Sequence, residues 1–274
     1  MAGIIKISYN IVVFLVLIIS SNNLYSKEKF FAGNVVYLPL TKNENKDDFY
    51  YKDRLITKIK KKNESYLMFG VPYYSNQGLN KYIFRSDTRK KIVNIEISKK
   101  KYGSQYINIK KYKAKTKDDQ ARINDERNRI IEAKRKQYKE YPDINFIMPA
   151  IGITSGVYGT QRFYNGKKGR FHNGHDIAAE IGTYIFAPSA GKVMLTGDYY
   201  YNGKFVMINH GNNLISMFLH MDDISVHNDQ VVRKGQKIGT IGNSGLSTGP
   251  HLHWSVILNN EYIDPIVLVD NTAP

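Results

Sequence analysis

Histidines and one aspartate are the residues of this chain best suited to metal or proton chemistry. All seven histidines of the 274-residue sequence lie between positions 172 and 253. Most of them fall in three short segments, which read His172-Asn-Gly-His-Asp176, Phe-Leu-His220 and Pro-His251-Leu-His253. Histidine is the commonest metal ligand and the usual proton carrier near neutral pH. The clustering therefore predicts a functional site in the second half of the chain.

The spacing of His172 and Asp176 brings both side chains to one side of the backbone. Residues four apart share a face of a helix, and they also share a side of an extended strand. Gly174 lies between them and a β-type pattern follows Asp176, which favours the extended form. In either geometry the imidazole and the carboxylate converge on one point.

A second pair of imidazoles projects from one strand face, because His251 and His253 flank Leu252. Two imidazoles and a carboxylate are a ligand set of catalytic zinc, which leaves a fourth position for water. The chain has no cysteine, so any ligand is nitrogen or oxygen, and this set favours Zn²⁺. His220 and one member of the pair then remain to move the proton of a water molecule and to stabilise an oxyanion. Spacing alone leaves open which member binds the metal.

These segments, with the string Gly242-Asn-Ser-Gly-Leu-Ser-Thr-Gly-Pro-His-Leu-His253, resemble the lysostaphin/LytM-type zinc metalloendopeptidases. The resemblance covers residues 147–274. It implies zinc on His172, Asp176 and His253, and an unligated catalytic pair of His220 and His251. It also implies an exported enzyme that hydrolyses peptide cross-links of peptidoglycan with a metal-activated water.

Two further segments resemble the Gram-negative envelope branch of that family. They are Gly156–Gly166, just before the first histidine segment, and, less closely, Tyr102–Ile109 with the charged stretch after it. This branch suggests cleavage between D-alanine and a diamino acid, whereas other members cut oligoglycine bridges. The sequence itself does not choose the bond.

The three remaining histidines are expected to lie outside the metal centre. His175 alternates with its neighbours, so it should point away from the metal, either into packing or at the surface, or in support of a ligand. His210 and His227 are expected to be structural or exposed.

The pattern of the whole chain predicts a mainly β fold. Residues 27–112 contain short β-type runs, which predict a small antiparallel N-terminal domain that docks on or covers the rest: 33–40, 66–71, 91–97 and 106–109. Residues 145–274 contain strands separated by turns and predict an all-β peptidase-like domain: 183–187, 192–195, 205–208, 214–220, 237–241 and 252–258. Residues 113–142 predict a charged helical linker that begins at a capping box at Thr116–Asp119, ends before Pro142 and packs weakly as a spacer.

The first 26 residues predict a signal peptide or an uncleaved anchor, because Lys6 precedes the apolar run Ile11–Ile19. We therefore expect export to the periplasm or cell envelope. Of the formal charge of +16, nearly all lies between residues 27 and 144, which have 30 Lys and Arg against 15 Asp and Glu. Such a charge suits an anionic envelope surface, although a Lys-rich composition explains it equally well. A nucleic-acid partner is not expected, and the oligomeric state is undetermined.

Two alternative functions stay open at this point. One is a catalytically silent scaffold that activates a cell-wall amidase. The other is a zinc peptidase that acts on a protein substrate. Retention of all three ligands and both spare histidines favours the enzyme over the scaffold.

Overall fold

The structure is a computed structural model, and it describes residues 17–20, 23–61, 63–107, 115–136, 138, 140 and 142–269. Most of the expected leader lies outside these residues and remains a prediction. The strands are β1 Leu17–Ser20, β2 Asn23–Phe30, β3 Val35–Leu40, β4 Tyr50–Tyr51, β5 Arg54–Leu55, β6 Thr57–Lys61, β7 Glu64–Gly70, β8 Gly78–Arg85, β9 Lys90–Ile97, β10 Ser104–Ile107, β11 Ile153–Gly156, β12 Gln161–Tyr164, β13 Lys167–Phe171, β14 His175–Ala178, β15 Tyr184–Phe186, β16 Gly191–Tyr199, β17 Gly203–Gly211, β18 Leu214–Ile224, β19 Val231–Val232, β20 Lys237–Ile241, β21 His251–Leu258 and β22 Glu261–Ile263. The helix α1 is Lys117–Arg135, and short 3₁₀ turns span Glu44–Lys46 and Pro265–Leu268.

The N-terminal region forms two sheets that enclose a core of their own. One has the strand order β1-β2-β9-β8-β4-β5 and the other β3-β7-β6. Aromatic and β-branched side chains fill the space between them, among them the fully buried Phe49, Phe84 and Val93. The predicted runs coincide with β3, β7 and β9 to within a few residues. The expectation of a purely antiparallel domain is wrong in one pair, because β2 and β9 run parallel.

Strand β10 belongs to a different sheet from the rest of the N-terminal region. It pairs in parallel with β12, which pairs antiparallel with β13. The chain therefore crosses from the N-terminal region into the second half before it enters α1. Residues 108 and 109 of the predicted run lie outside the described residues.

The second half is built on an antiparallel sheet with the order β11-β14-β21-β18-β17-β16-β19, to which β15, β20 and β22 are joined. Successive side chains along each strand point to opposite faces of the sheet. Val206, Ile208 and Phe218 face the main core, whereas Met207 and Met217 face the opposite side. The prediction of a mainly β chain with a β-rich second half and one connecting helix is confirmed.

Helix α1 lies against that opposite side of the sheet along a narrow face, with Glu126 and Ala133 as its buried residues, which agrees with the weak packing predicted from its thin apolar stripe. Its role as a spacer stays a prediction. Ala133 joins the methionine cluster there. Glu126 is buried, and its carboxylate accepts bonds from Arg122 Nε at 2.6 Å and from the backbone N–H of Tyr200 at 2.9 Å. The predicted capping box is present, with Thr116 and Asp119 bonded reciprocally. Among the helices of the described ranges, none has the length and apolar character needed to cross a membrane.

Candidate metal centre

Three side chains with metal-binding atoms converge at the start of β14 and β21. Asp176 and His253 are direct cross-strand neighbours in this antiparallel pair, and His172 lies in the turn between β13 and β14. Asp176 Oδ1 lies 2.9 Å from His172 Nε2 and 2.7 Å from His253 Nδ1, and the two nitrogens are 3.0 Å apart. All three residues are buried, and their ligand atoms lie within 4.8 Å of one another.

The tautomers set by the surroundings make this group fit a cation. The Nδ1–H of His172 donates to the carbonyl of Val157 at 2.9 Å, which leaves Nε2 as a lone pair. His253 Nε2 is bonded to the Ser255 hydroxyl at 2.8 Å, which holds the other ring nitrogen toward the carboxylate. Two imidazole nitrogens and a carboxylate oxygen then face one another at about hydrogen-bond distance. Such a set of acceptors needs a positive charge between them, and a zinc ion bound by nitrogen and oxygen suits it.

The electrostatics keep Asp176 ionised. Burial by itself raises the pKa of this carboxyl, but when His172 and His253 carry protons on the nitrogens that face it, their hydrogen bonds and charge outweigh burial and hold the pKa far below its usual range. Burial also lowers the pKa of His253, against the opposing effect of Asp176. The carboxylate is therefore in the ligand form across the physiological pH range.

Two glycines allow the close approach that the centre requires. A Cβ on Gly156 would lie 2.5 Å from Asp176 Oδ2. A Cβ on Gly174 would lie 2.5 Å from the Trp254 carbonyl oxygen and 2.9 Å from the His253 ring. The His-x-Gly-x-Asp spacing therefore has a steric reason, because the backbone between the first two ligands packs directly against the third.

The other two predicted site histidines lie beside the trio. His220 occupies β18, next to β21, and its ring centroid is 4.8 Å from that of His251 and 6.3 Å from that of His253. The Nδ1–H of His220 donates to the Ser244 carbonyl at 2.9 Å. His251 Nε2 lies 4.0 Å from Asp176 Oδ1. The structure thus brings all five predicted residues together, while their division into ligands and catalytic groups remains a prediction.

Both spare imidazoles are held through the same ring nitrogen, Nδ1. His251 donates its Nδ1–H to the Gly249 carbonyl at 2.8 Å, as His220 does to Ser244, so each leaves Nε2 as a lone pair. Burial, together with charge on His251 and His253, lowers the pKa of His220 to about 4. His220 is therefore a neutral proton acceptor near neutral pH.

The remaining three histidines lie outside the trio. His175 pairs across from Trp254 rather than facing the trio, and its Nε2 lies 3.0 Å from Thr154 Oγ1. His210 is buried, donating to the Ala190 carbonyl and bonded to a serine hydroxyl. His227 is exposed.

Several supporting residues were not identified from the sequence. Arg162 Nη2 bonds Asp176 Oδ2 at 2.8 Å, and Ser255 holds His253. The Ser244 and Val157 carbonyls fix the two imidazoles described above. Of these residues, only Ser255 could have been predicted from the sequence, because it follows His253 by two residues and so lies on the same strand face. The carbonyl groups belong to the backbone, so no residue type identifies them in the sequence. Arg162 lies beside Asp176 because of strand pairing, which the sequence does not reveal.

One of the contacts between the N-terminal sheets and the second half lies beyond the far end of the site strands. Asn259, just after β21, accepts a bond from Thr57 N–H at 3.0 Å and donates to the Met68 carbonyl at 2.8 Å. Asn259 follows His253 by six positions, which is about 20 Å of extended strand. These contacts therefore hold the two halves together without reaching the imidazoles.

Comparisons with known proteins agree with this geometry. The family model described as Peptidase family M23 matches residues 170–265. The peptidoglycan DD-endopeptidase ShyA of Vibrio cholerae is 41% identical over 93 residues, which are 34% of this chain and 22% of that protein. The DD-carboxypeptidase/endopeptidase Mpg of Neisseria meningitidis is 36% identical over 97 residues, or 35% of this chain and 22% of that protein. The match thus spans about a fifth of the length of these curated relatives.

One solved structure matches most of the chain. A Pseudomonas aeruginosa crystal structure assigned to peptidase M23 has a TM-score of 0.72 and 29% sequence identity. It covers 87% of this chain, and this chain covers 94% of it. The likeness therefore includes the N-terminal region as well as the part that contains the histidines.

Proposed function

We propose, because residues 170–265 match the model of peptidase family M23, that this chain is an exported zinc-dependent endopeptidase that hydrolyses peptide cross-links of peptidoglycan. The observation that carries the proposal is the convergence of His172, Asp176 and His253, with two further imidazoles alongside. A scaffold without catalysis has no need of five such groups in one buried cluster.

His172, Asp176 and His253 would hold the zinc ion through Nε2, Oδ1 and Nδ1. When bound there, zinc supplies Lewis-acid polarisation of the attacked carbonyl and makes a water molecule acidic enough to lose a proton near neutral pH. The hydrogen bond from His172 to the Val157 carbonyl keeps that imidazole in the ligand tautomer, and the contact of His253 Nε2 with the Ser255 hydroxyl orients the second imidazole.

His220 and His251 would move the proton and stabilise the oxyanion. Each presents a lone pair at Nε2, because each Nδ1–H is committed to a carbonyl. One Nε2 accepts the proton of the attacking water, and the imidazolium so formed can give it to the departing amine. Donation to the oxyanion needs N–H at the other Nε2. The pair therefore works when one imidazole is neutral and accepts a proton, while the other is protonated and donates a hydrogen bond.

The names of the relatives support the proposed substrate, and the predicted leader supports the proposed location. ShyA is named a peptidoglycan DD-endopeptidase and Mpg a DD-carboxypeptidase/endopeptidase. We propose that this chain cuts the cross-link between D-alanine and a diamino acid, outside the cytoplasm. Its basic N-terminal region would add attraction to an anionic envelope surface.

The test is incubation of the purified full chain with peptidoglycan, followed by muropeptide separation. We expect cross-linked dimers to give monomers, the reaction to stop with a chelator and to resume on zinc addition. Absence of a chelator-sensitive product, with stimulation of an added amidase, contradicts the proposal and identifies a scaffold. Cleavage of a protein but not of peptidoglycan would show that the chain is a peptidase with a protein substrate.

A further inference from the structure

We propose that Arg162 is a positioning residue for the metal ligand Asp176, and that Gln105 of the N-terminal strand β10 fixes Arg162 in turn. The inference rests on the zinc site of the proposed function. It adds that the centre is completed from outside the segment matched by the family model, which begins at residue 170.

The contacts form a chain from β10 to the carboxylate. Arg162 donates from Nε to Gln105 Oε1 at 3.0 Å and from Nη2 to Asp176 Oδ2 at 2.8 Å. The side chain of Asp176 is 7% exposed and that of Arg162 is 20% exposed. This ion pair is therefore largely shielded from water, and its geometry is held from both sides.

The two oxygens of Asp176 have separate partners. Oδ1 faces His172 and His253, whereas Oδ2 receives the guanidinium. A carboxylate free at Oδ2 could rotate about its terminal bond and lose the arrangement of Oδ1 with the imidazoles. Engagement by Arg162 leaves one oxygen for the metal and satisfies the other, which is buried and would otherwise lack a donor.

Backbone pairing, rather than a flexible side-chain contact, puts Gln105 in place. Gln105 and Arg162 are register partners in the parallel β10–β12 pair, so their side chains lie on the same face. The strand is extended at both ends by bonds from Gln161 N–H to the Gly103 carbonyl and from Asn165 N–H to the Ile107 carbonyl. Displacement of β10 would therefore remove the acceptor from the Nε of Arg162.

The segment before His172 has a second support from the N-terminal region. The ring of Tyr73 stacks on Phe171 at a centroid distance of 3.7 Å and 6° between planes. Its hydroxyl donates to the Gly159 carbonyl at 3.1 Å, and Gly159 N–H donates to the His172 carbonyl at 2.8 Å. Both a ligand carboxylate and a ligand histidine are thus supported by residues that precede the family match.

Charge and position are separable in this arrangement. If the positive charge near Asp176 were the whole effect, lysine would replace Arg162 with little change. Lysine lacks the planar fork that reaches Gln105 and Asp176 together, so a positioning role predicts a loss. Removing a group hydrogen-bonded to a metal ligand typically lowers metal affinity by about 10–100-fold.

The experiment measures zinc affinity of full-length variants by competition with a chromophoric chelator. We expect Arg162→Lys and Gln105→Leu to weaken zinc binding by roughly 10-fold or more. Gln105→Glu keeps an acceptor for Arg162 Nε and should stay within about 3-fold of wild type. Tyr106→Ala is the matched control on the same strand, because Tyr106 is 75% exposed and stacks on Phe163 rather than on Arg162.

Thermal unfolding of the metal-free variants checks that a loss of affinity is not a loss of fold. Equal zinc affinity in wild type, Arg162→Lys and Gln105→Leu overturns the inference. So does a loss in Gln105→Glu as large as that in Gln105→Leu. The result is independent of turnover: a wild type that binds zinc but leaves peptidoglycan intact contradicts the proposed activity alone, and one that binds no zinc contradicts both.

Discussion

Replacing His220 by asparagine should lower turnover by about 10²–10⁴-fold without releasing zinc. The backbone of His220 has a φ of 64°, in the left-handed region, where asparagine is better tolerated than most residues. The asparagine amide nitrogen takes the place of Nδ1, which donates to the Ser244 carbonyl at 2.9 Å. The substitution therefore removes Nε2 while it keeps the local backbone and the hydrogen bond.

The size of the effect follows from the proton that Nε2 is proposed to accept. Loss of a general acid or base typically lowers kcat by about 10²–10⁴-fold, which is about 3–5 kcal/mol of transition-state stabilisation. Zinc affinity should fall by less than the roughly 10-fold typical of losing a group bonded to a ligand. The reason is that His220 lies outside the trio whose ligand atoms are within 4.8 Å of one another.

The assay compares the rate of muropeptide release with bound zinc per chain, for His220→Asn and for Asp176→Asn. We expect zinc at full occupancy in the first variant and lost in the second. Zinc loss in His220→Asn would show that His220 is a ligand. Near-normal turnover with zinc retained would show that the proton goes elsewhere.

Three further predictions concern stability. Burial lowers the pKa of His210 to about 4, against about 6.5 in an unfolded chain. The unfolded chain therefore binds a proton at this residue between about pH 6.5 and 4, whereas the folded chain does not. As the pH falls through this range, the free energy of unfolding should decrease by about 3 kcal/mol. Urea unfolding at pH 6.5 and 4.5 should show a smaller pH dependence in His210→Gln than in wild type, and an equal dependence would contradict the assignment. Gly159→Ala should lower the unfolding free energy by about 2 kcal/mol more than Gly78→Ala. Both glycines have positive φ, but only at Gly159 would a Cβ meet a tyrosine ring, at 2.0 Å. Glu126→Ala should destabilise by about 1–3 kcal/mol, because a buried carboxylate binds the helix to the sheet. Asp125→Ala, which breaks an exposed ion pair, should change stability by about 0.5 kcal/mol or less, and equal losses would refute the packing role of the helix.

Local spacing predicts part of the convergence of these side chains, because two pairs of them are near neighbours in sequence. His172 and Asp176 lie four residues apart, and His251 and His253 share a strand face, so period-two geometry limits where the imidazoles point. The β pattern and the capping box of α1 were readable for the same reason, since each depends on interactions within a few residues. Assignment of His253 rather than His251 to the metal still came from the family resemblance.

What the sequence alone determined was the set of chemical groups, their order and the type of element that holds each of them. The tertiary structure decided which groups meet across long separations. It packed α1 on the sheet through Glu126, and it paired β10 with β12 so that Gln105 reaches Arg162 beside Asp176. Parallel pairing between distant segments and the packing of a polar helix leave no periodic signal, because they depend on surfaces that exist only once both partners have folded.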